Sequence, residues 1–442
     1  MGKYFGTDGF RGIANKNVSA FKAYLIGRYL GGYRKERLKI LIARDTRLSG
    51  EMLAEALSSG IVSSGSDVVN LGVSTTPSVS YLVSQNNFDF GVMISASHNP
   101  FYDNGIKIFN NLGEKINEEL ELKIEQYIDF GNDDLPLPIN DAIGRYLSKD
   151  NYLDQYINFL VSKAYPQISS LKILCDCANG SSSAVIEQLI GKLGLDATII
   201  NKEPNGTNIN DQCGSTHIKN LKEKVLSGNY DIAFAFDGDA DRCLAMDRDG
   251  NIIDGDAIMF LNALHMRKIK KLSRDSVVIT VMSNIGLKKA FANEHINIVS
   301  TSVGDKYVQA EMKKNNYSLG GEQSGHIIFL DDLNTGDGLL TMIKILNCIA
   351  YEKKDVRELL KSLTIYPQLL KNVVVPNKDA ILNHVGFNNC IKKLEEELND
   401  NGRILVRASG TEPLIRVMCE ASSLEICHKI CDELVNYIND LI

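Results

Sequence analysis

At 442 residues, with 44% hydrophobic and 23% charged side chains, the chain has an ordinary globular composition and is too long for one core; several domains of about 100–200 residues are expected. A formal net charge of -7 argues against nucleic acid as the main partner but leaves room for a local basic pocket that takes a small anion. No apolar run approaches the roughly 20 residues of a membrane span, and Met1-Gly2-Lys3-Tyr4-Phe5 lacks the apolar core of a signal peptide.

Gly6 stands where an N-myristoylation signal needs Ser or Thr. The nine cysteines, an odd number, point to free thiols in a reducing cytoplasm, and the chain reads as soluble and cytoplasmic. Cys175 and Cys177 fall on a predicted strand, and Cys427 and Cys431 share a helix face beside His428; buried thiols acting as small hydrophobes are favoured there over a metal site.

In chain order, the first feature is Phe5-Gly6-Thr7-Asp8-Gly9-Phe10-Arg11-Gly12. Its glycines let backbone amides approach an anion, and Arg11 offers a bidentate fork for phosphate; alone, it reads as a structural turn before it reads as an anion site. Helical spacing runs from Val18 to Tyr33, and a buried strand from Leu38 to Ala43 follows. Ser49 caps a helix running to about Gly60, Asp67 to Leu71 is a short strand, and Thr76-Pro77 opens the next helix. The apolar run Phe88 to Ile94 then enters Ser95-Ala96-Ser97-His98-Asn99-Pro100. Pro100 keeps Asn99 out of helix, so the loop is expected to be extended and tight, with Ser97 a candidate nucleophile. In Asp103 to Phe109, alternation puts Lys107 opposite the isoleucines, facing back to that loop, where phosphoryl chemistry needs a fixed cation. Asp133 to Asn140, with two prolines, reads as a linker, with the boundary there or a little later, before the helix at Tyr152.

A second unit repeats the alternation: strand Leu171 to Cys175, helix from Ser181, strand Ala197 to Ile200, helix from Thr216. Its last strand, Asp231 to Phe236, runs into Asp237-Gly238-Asp239-Ala240-Asp241-Arg242. In an extended chain the three aspartates share a face, and like charges so close call for a cation with hard oxygen ligands, Mg²⁺ or similar. An EF-hand would need Gly and Glu where Arg242 and Arg248 stand; an aspartyl-phosphate phosphatase would carry Thr or Val at Asp241. A solvated acidic turn is the plainer alternative.

The third unit alternates helices Ala257 to Lys270 and Leu287 to His295 with strands Val277 to Met282 and Ile296 to Ser300. A glycine loop at Ser302 to Lys306 opens another helix. In Gly320-Gly321-Glu322-Gln323-Ser324-Gly325-His326, the alternating Glu322, Ser324 and His326 are expected on one face, as groups that bind sugar hydroxyls. The last unit differs in rhythm: strand Asn372 to Val375, helix Asn389 to Leu398, strands Ile404 to Val406 and Leu414 to Met418, and a helix from Leu424. Between its later strands, Arg407-Ala408-Ser409-Gly410-Thr411-Glu412-Pro413, with Arg416 following, concentrates guanidinium, hydroxyl and glycine-freed amide donors into a phosphate cradle. The fold class is therefore α/β: three successive mixed α/β domains of similar topology (1-150, 151-253, 254-366) and a smaller C-terminal α+β domain (367-442).

Together these four loops, in this order and over essentially the full length, resemble the α-D-phosphohexomutase family. The resemblance implies that Ser97 carries a phosphoryl group, and that Mg²⁺ is held by Asp237, Asp239 and Asp241 together with that phosphoserine. It implies sugar contacts from Glu322 and Ser324, phosphate contacts from Arg407, Ser409, Gly410, Thr411 and Arg416, and charge or proton handling by Lys107 and His326, with Arg11 steadying the phosphoserine. The implied reaction interconverts glucosamine 6-phosphate and glucosamine 1-phosphate through a sugar bisphosphate and feeds amino-sugar nucleotide and cell-wall precursor synthesis. Glucose or mannose phosphates, or a non-catalytic sugar-phosphate-binding role, are the alternatives; the latter should have cost Ser97 or an aspartate, and both are present. A homodimer is compatible with the sequence. Lys306 departs from the arginine expected there, which bears on sugar choice because lysine lacks the planar fork.

Overall fold

The described residues form four sheets. The computed structural model describes residues 2–6, 8–130, 133–148, 151–409 and 413–442. These residues form two units by contact, 1–282 with 296–360, and 283–295 with 361–442.

In the first unit a seven-stranded mixed sheet runs in the order Phe5–Gly6, Gly9–Ile13, Asp103–Asn110, Phe90–Ile94, Lys39–Arg44, Asp67–Val73, Tyr146–Ser148. Strands Phe90–Ile94, Lys39–Arg44 and Asp67–Val73 run parallel and are largely apolar, as expected of strands covered by helices. Helices Ala20–Gly31 and Gly50–Ser63 pack closely enough that a Cβ on Gly27 would meet the Leu57 carbonyl. The first strand is pinned by Glu125, which accepts the amides of Lys3, Tyr4 and Phe5 at 2.8, 2.6 and 2.7 Å. The segment read as a linker returns to this sheet. Arg28, fully buried, binds the Asp133 carboxylate and the carbonyls of Leu135 and Pro136, and Tyr146–Ser148 then adds a seventh strand beside Asp67–Val73.

The second sheet runs Ile252–Ile253, Cys243–Asp247, Ile232–Phe236, Lys172–Asp176, Asp196–Ile200, and the third Asn297–Thr301, Ser276–Thr280, Leu319–Gly321, Ile327–Phe329. The helix expected from Ser181 begins as a short 3₁₀ turn, Ser181–Ala184, before Ile186–Leu193. No helix among the described residues is long and apolar enough to cross a membrane.

The second unit has a three-stranded antiparallel sheet, Gln368–Val374, Leu414–Ala421, Gly402–Ala408, under helices Val385–Leu398 and Leu424–Asp440. Cys419, Cys427 and Cys431 sit inside its apolar core. All nine cysteines are free thiols. Helix Ile285–Asn293 packs in this unit although its sequence lies between two strands of the third sheet. Asn284 exchanges hydrogen bonds with the Tyr366 backbone at 2.9 and 3.0 Å, and the Ile285 amide donates to Glu420 at 2.8 Å.

Candidate active site

The serine loop is built under strain. Strand Phe90–Ile94 is buried throughout, and three residues beyond it Ser97 adopts φ +52°, in the left-handed region that non-glycine residues avoid. The Asn99 amide donates to the Ala96 carbonyl at 3.1 Å, so the loop is a turn rather than the extended segment expected. What holds it is a buried ion pair. Arg47 Nε donates to Asp45 at 2.8 Å, and the Arg47 guanidinium also binds the carbonyls of Ser97 and Asn99 at 2.8 Å each and that of Pro100. Asn210 donates to the same Ser97 carbonyl at 2.9 Å, and Ser95 Oγ, itself bonded to Asp45, accepts the Ser97 amide at 2.9 Å. With its backbone saturated, Ser97 directs Oγ to Asp237 Oδ2 at 2.5 Å. His98 Nδ1 lies 3.4 Å from the same Oγ; burial, then Arg242 and Arg11, push this imidazole down to about 4, so it is neutral near pH 7.

The aspartate loop meets the serine loop within the first unit. The three aspartates converge, though not by strand alternation. The loop turns at Ala240 (φ +59°), whose amide donates to the Asp237 carbonyl, and one oxygen from each carboxylate falls within 4.8 Å of the others. Gly238 is required by close approach, since a Cβ there would lie 2.5 Å from the Ser97 carbonyl oxygen. All three carboxylates are buried. Lys107 Nζ, also buried, reaches Asp239 Oδ2 at 2.8 Å and Asp241 and Asp8 at 3.2 Å. Burial disfavours the Lys107 ammonium, but these carboxylates outweigh it and hold its pKa well above the usual lysine value. Burial also opposes ionisation of Asp241, yet Lys107 and His326 bring it well below the ordinary carboxylate range. Asp237 goes the other way, raised by burial and by its two acidic neighbours.

A cation fits this arrangement on its own chemistry. Asp239 Oδ1 and Asp241 Oδ1 are buried without hydrogen-bond partners, while the opposite oxygens are occupied by Lys107. Among the described residues this is the one cluster of His, Cys, Asp or Glu side chains whose ligand atoms converge, so the alternative at Cys427 and Cys431 has no such geometry.

Around this centre the other expected residues distribute unevenly. Arg11 donates from Nη1 to the Ala96 carbonyl at 3.5 Å and pairs with Asp8, which also binds Lys115; Lys115 in turn reaches Asp305 at 2.5 Å. Glu322, Ser324 and His326 do not share one face. They form the turn of a hairpin between Leu319–Gly321 and Ile327–Phe329, with the Gly325 amide closing on the Glu322 carbonyl at 3.0 Å. Glu322 is half-buried and accepts the Gly304 amide at 3.0 Å, Ser324 is exposed, and His326 turns inward. The Gly336 amide donates to His326 Nε2 at 3.1 Å, which places the ring proton on Nδ1, facing Asp241 at 3.7 Å. Burial favours that neutral ring. Asp241 and Asp305 oppose it and raise the pKa. Lys306 binds Glu118 at 3.0 Å.

In the second unit Arg407 lies directly opposite Arg416 across the Gly402–Ala408 and Leu414–Ala421 pair, and burial followed by Arg416 lowers its pKa. Lys378 donates to the Ser409 carbonyl at 2.7 Å, a further cation at this turn. Gly410 and Thr411 lie outside the described residues.

Sequence reasoning missed Asp45, Arg47, Thr76, Lys115 and Asp305. Only the first two left a signal, as a charged Asp-Thr-Arg directly after an apolar strand; the rest depend on partners more than a hundred residues away.

Comparison with known proteins agrees with this construction. Residues 2–133, 150–250, 254–366 and 370–436 match, in order, the phosphoglucomutase/phosphomannomutase alpha/beta/alpha domains I, II and III and C-terminal domain. The phosphoglucosamine mutase of Lachnoclostridium phytofermentans is 47% identical over 437 residues, covering 98% of each chain. That of Bacillus subtilis is 46% identical over 446 residues, covering 100% of this chain and 98% of the other. In fold, the chain is similar to a phosphoglucomutase/phosphomannomutase family protein from Burkholderia thailandensis, with a TM-score of 0.80 at 24% identity and coverage of 98% and 96%. It is also similar to Aspergillus fumigatus N-acetylphosphoglucosamine mutase in complex with GlcNAc-6P and magnesium, with a TM-score of 0.72 at 19% identity and coverage of 99% and 95%. The chain belongs to the phosphoglucomutase/phosphomannomutase family, the α-D-phosphohexomutases.

Proposed function

We propose that this chain is a phosphoglucosamine mutase, interconverting glucosamine 6-phosphate and glucosamine 1-phosphate. The observation that carries the chemistry is Ser97 Oγ, 2.5 Å from Asp237 at the edge of a buried triad with two unpartnered carboxylate oxygens; the named relatives carry the substrate class. In this reading the phosphorylated form of Ser97 gives its phosphoryl group to a sugar hydroxyl. The P–O bond to Ser97 breaks, a P–O bond to the sugar forms, and the hydroxyl proton passes to a site base. The bisphosphate turns over, and its other phosphoryl group returns to Ser97.

Asp237, Asp239 and Asp241, with the Ser97 oxygen, would hold Mg²⁺, which supplies charge neutralisation for the transferring group. Lys107 keeps its proton among three carboxylates and so acts as a fixed positive charge, while His326, its Nε2 taken by the Gly336 amide and its Nδ1–H facing Asp241, handles charge beside that carboxylate. Arg11, docked on the Ala96 carbonyl, steadies the phosphoserine. Glu322 and Ser324 would bind the sugar. Arg407, Ser409, Gly410, Thr411 and Arg416 would bind the phosphate that is not being transferred. The labour then divides by domain: serine within 1-150, metal loop within 151-253, sugar loop within 254-366, phosphate cradle within 367-442.

A coupled assay on glucosamine, N-acetylglucosamine, glucose and mannose phosphates tests the reading. Glucosamine phosphate should be turned over with the highest kcat/KM. A preference for glucose or mannose phosphate would move the chain to a sister activity, and Lys306 is then the first residue to exchange for arginine.

A further inference from the structure

Helix Thr76–Gln85 begins against the aspartate loop, and the donors of its first turn are accounted for. The Thr76 amide donates to the Asp239 carbonyl at 3.0 Å, Pro77 has no N–H, and the Ser78 amide donates to Thr75 Oγ1 at 3.2 Å. This helix end therefore serves Asp239 rather than a substrate anion. The contact is made twice, because the Thr76 hydroxyl also donates to Asp239 Oδ2 at 2.5 Å, where Lys107 arrives at 2.8 Å. Asp239 Oδ1 is left buried and without a partner.

We propose that Thr76 is a positioning residue for cation binding. Bonds at both ends of Asp239, backbone carbonyl and carboxylate, fix the side-chain torsions so that Oδ1 alone is presented to the ion. The positive end of the helix also lowers the cost of gathering three carboxylates in a buried place. The inference rests on the reading of the triad as a divalent-cation site. Nothing in the sequence pairs Thr76 with Asp239: the two belong to different sheets' loops, and a threonine at a helix start is ordinarily explained by capping alone.

The test is titration of the purified full-length protein with Mn²⁺ alone, free ion followed by paramagnetic resonance, for wild type, Thr76→Val, Thr76→Ser and Asp239→Asn. Wild type should bind Mn²⁺ and Asp239→Asn should lose it. Thr76→Val, which keeps the shape and removes the hydroxyl, should bind about ten- to a hundredfold more weakly, and Thr76→Ser should stay near wild type. Thermal melts in chelator check that each variant is folded; if Thr76→Val is not, Thr76→Ala against Thr76→Ser makes the same comparison. Wild-type affinity in a folded variant lacking the hydroxyl overturns the proposal, as does an equal loss in folded Thr76→Ser. Absence of Mn²⁺ binding by wild type itself overturns the triad reading, and this proposal with it.

Discussion

The serine and aspartate loops of the first unit and the arginine turn of the second solve opposite problems. In the first, the Ser97 carbonyl receives both Arg47 and Asn210, the Ser97 amide is paired, and Lys107 lies among Asp8, Asp239 and Asp241. Ions are desolvated there before any substrate arrives, so reorganisation during the reaction is small, the condition under which electrostatic stabilisation is most effective. In the second, Arg407 faces Arg416 across the sheet, both half-buried, like charges opposed at a position where opposite charges would stabilise. One region buries its ions among opposite charges, and the other sets two like charges side by side.

Substitutions can break this contrast, and the expected effects are graded. Ser97→Ala should lower turnover by about a thousandfold or more, since in the proposed reaction Ser97 carries the phosphoryl group. Peptide mass spectrometry should find one phosphate on Ser97 in wild type and none in the variant. Phosphate on Ser95, with Ser97→Ala active, would sink the assignment. Asp239→Asn comes next, with kcat down on the order of a hundredfold and a melting temperature little changed, because loss of one carboxylate also relieves repulsion within the triad. A variant that unfolds yet keeps its activity per folded molecule would make the loop merely structural.

Arg407→Ala tests the other side of the contrast. KM for both monophosphates should rise about tenfold, the scale of one charge-assisted hydrogen bond, and bisphosphate should appear free in solution. Impairment in one direction only, without escape of bisphosphate, would contradict a grip shared by both sugar orientations.

The smallest effect belongs to a buried carboxyl outside the reacting set. Asp337 caps helix Gly338–Glu352, accepts the Tyr156 hydroxyl at 2.9 Å, and is pushed up to about 7 by burial. A carboxyl raised this way takes up a proton on folding. Its contribution is complete below about pH 4, where the unfolded chain is also protonated, and is lost as pH rises through about 7. Asp337→Asn keeps the cap and should flatten the wild-type decline in stability between pH 6 and pH 8 by about 1 kcal/mol. Urea unfolding at the two pH values measures it, and an unchanged slope would place the titration elsewhere.

Much of this was legible because apolar runs and glycine-dense loops are local signals. The strand before Ser97, the inward face of Lys107 and the hairpin carrying Arg407 all follow from period and composition. The aspartates converge as expected but for a different reason, a left-handed turn at Ala240 instead of an extended alternation. The Glu322 loop failed the same reasoning, since a tight hairpin turn sends neighbouring side chains to different environments. What sequence could not supply was pairing at a distance: Arg47 with the Ser97 carbonyl, Lys115 with Asp305, and the Glu420 carboxylate that draws helix Ile285–Asn293 into the second unit.

The late return of Tyr146–Ser148 to the first sheet has a consequence for how the protein is made. Its neighbour, Asp67–Val73, is synthesised roughly 4–15 s earlier at about 5–20 residues per second, and through that interval its outer edge has no strand to bond. An open edge carrying Val68 and Val69 is a template for pairing with another nascent chain. Asp67 stands at the head of that edge, and its carboxylate is taken up by Arg145 only when the seventh strand arrives. Before then only Arg37, 3.5 Å away and half-exposed, offsets that charge; afterwards the two-pronged pairing with Arg145 anchors the right strand.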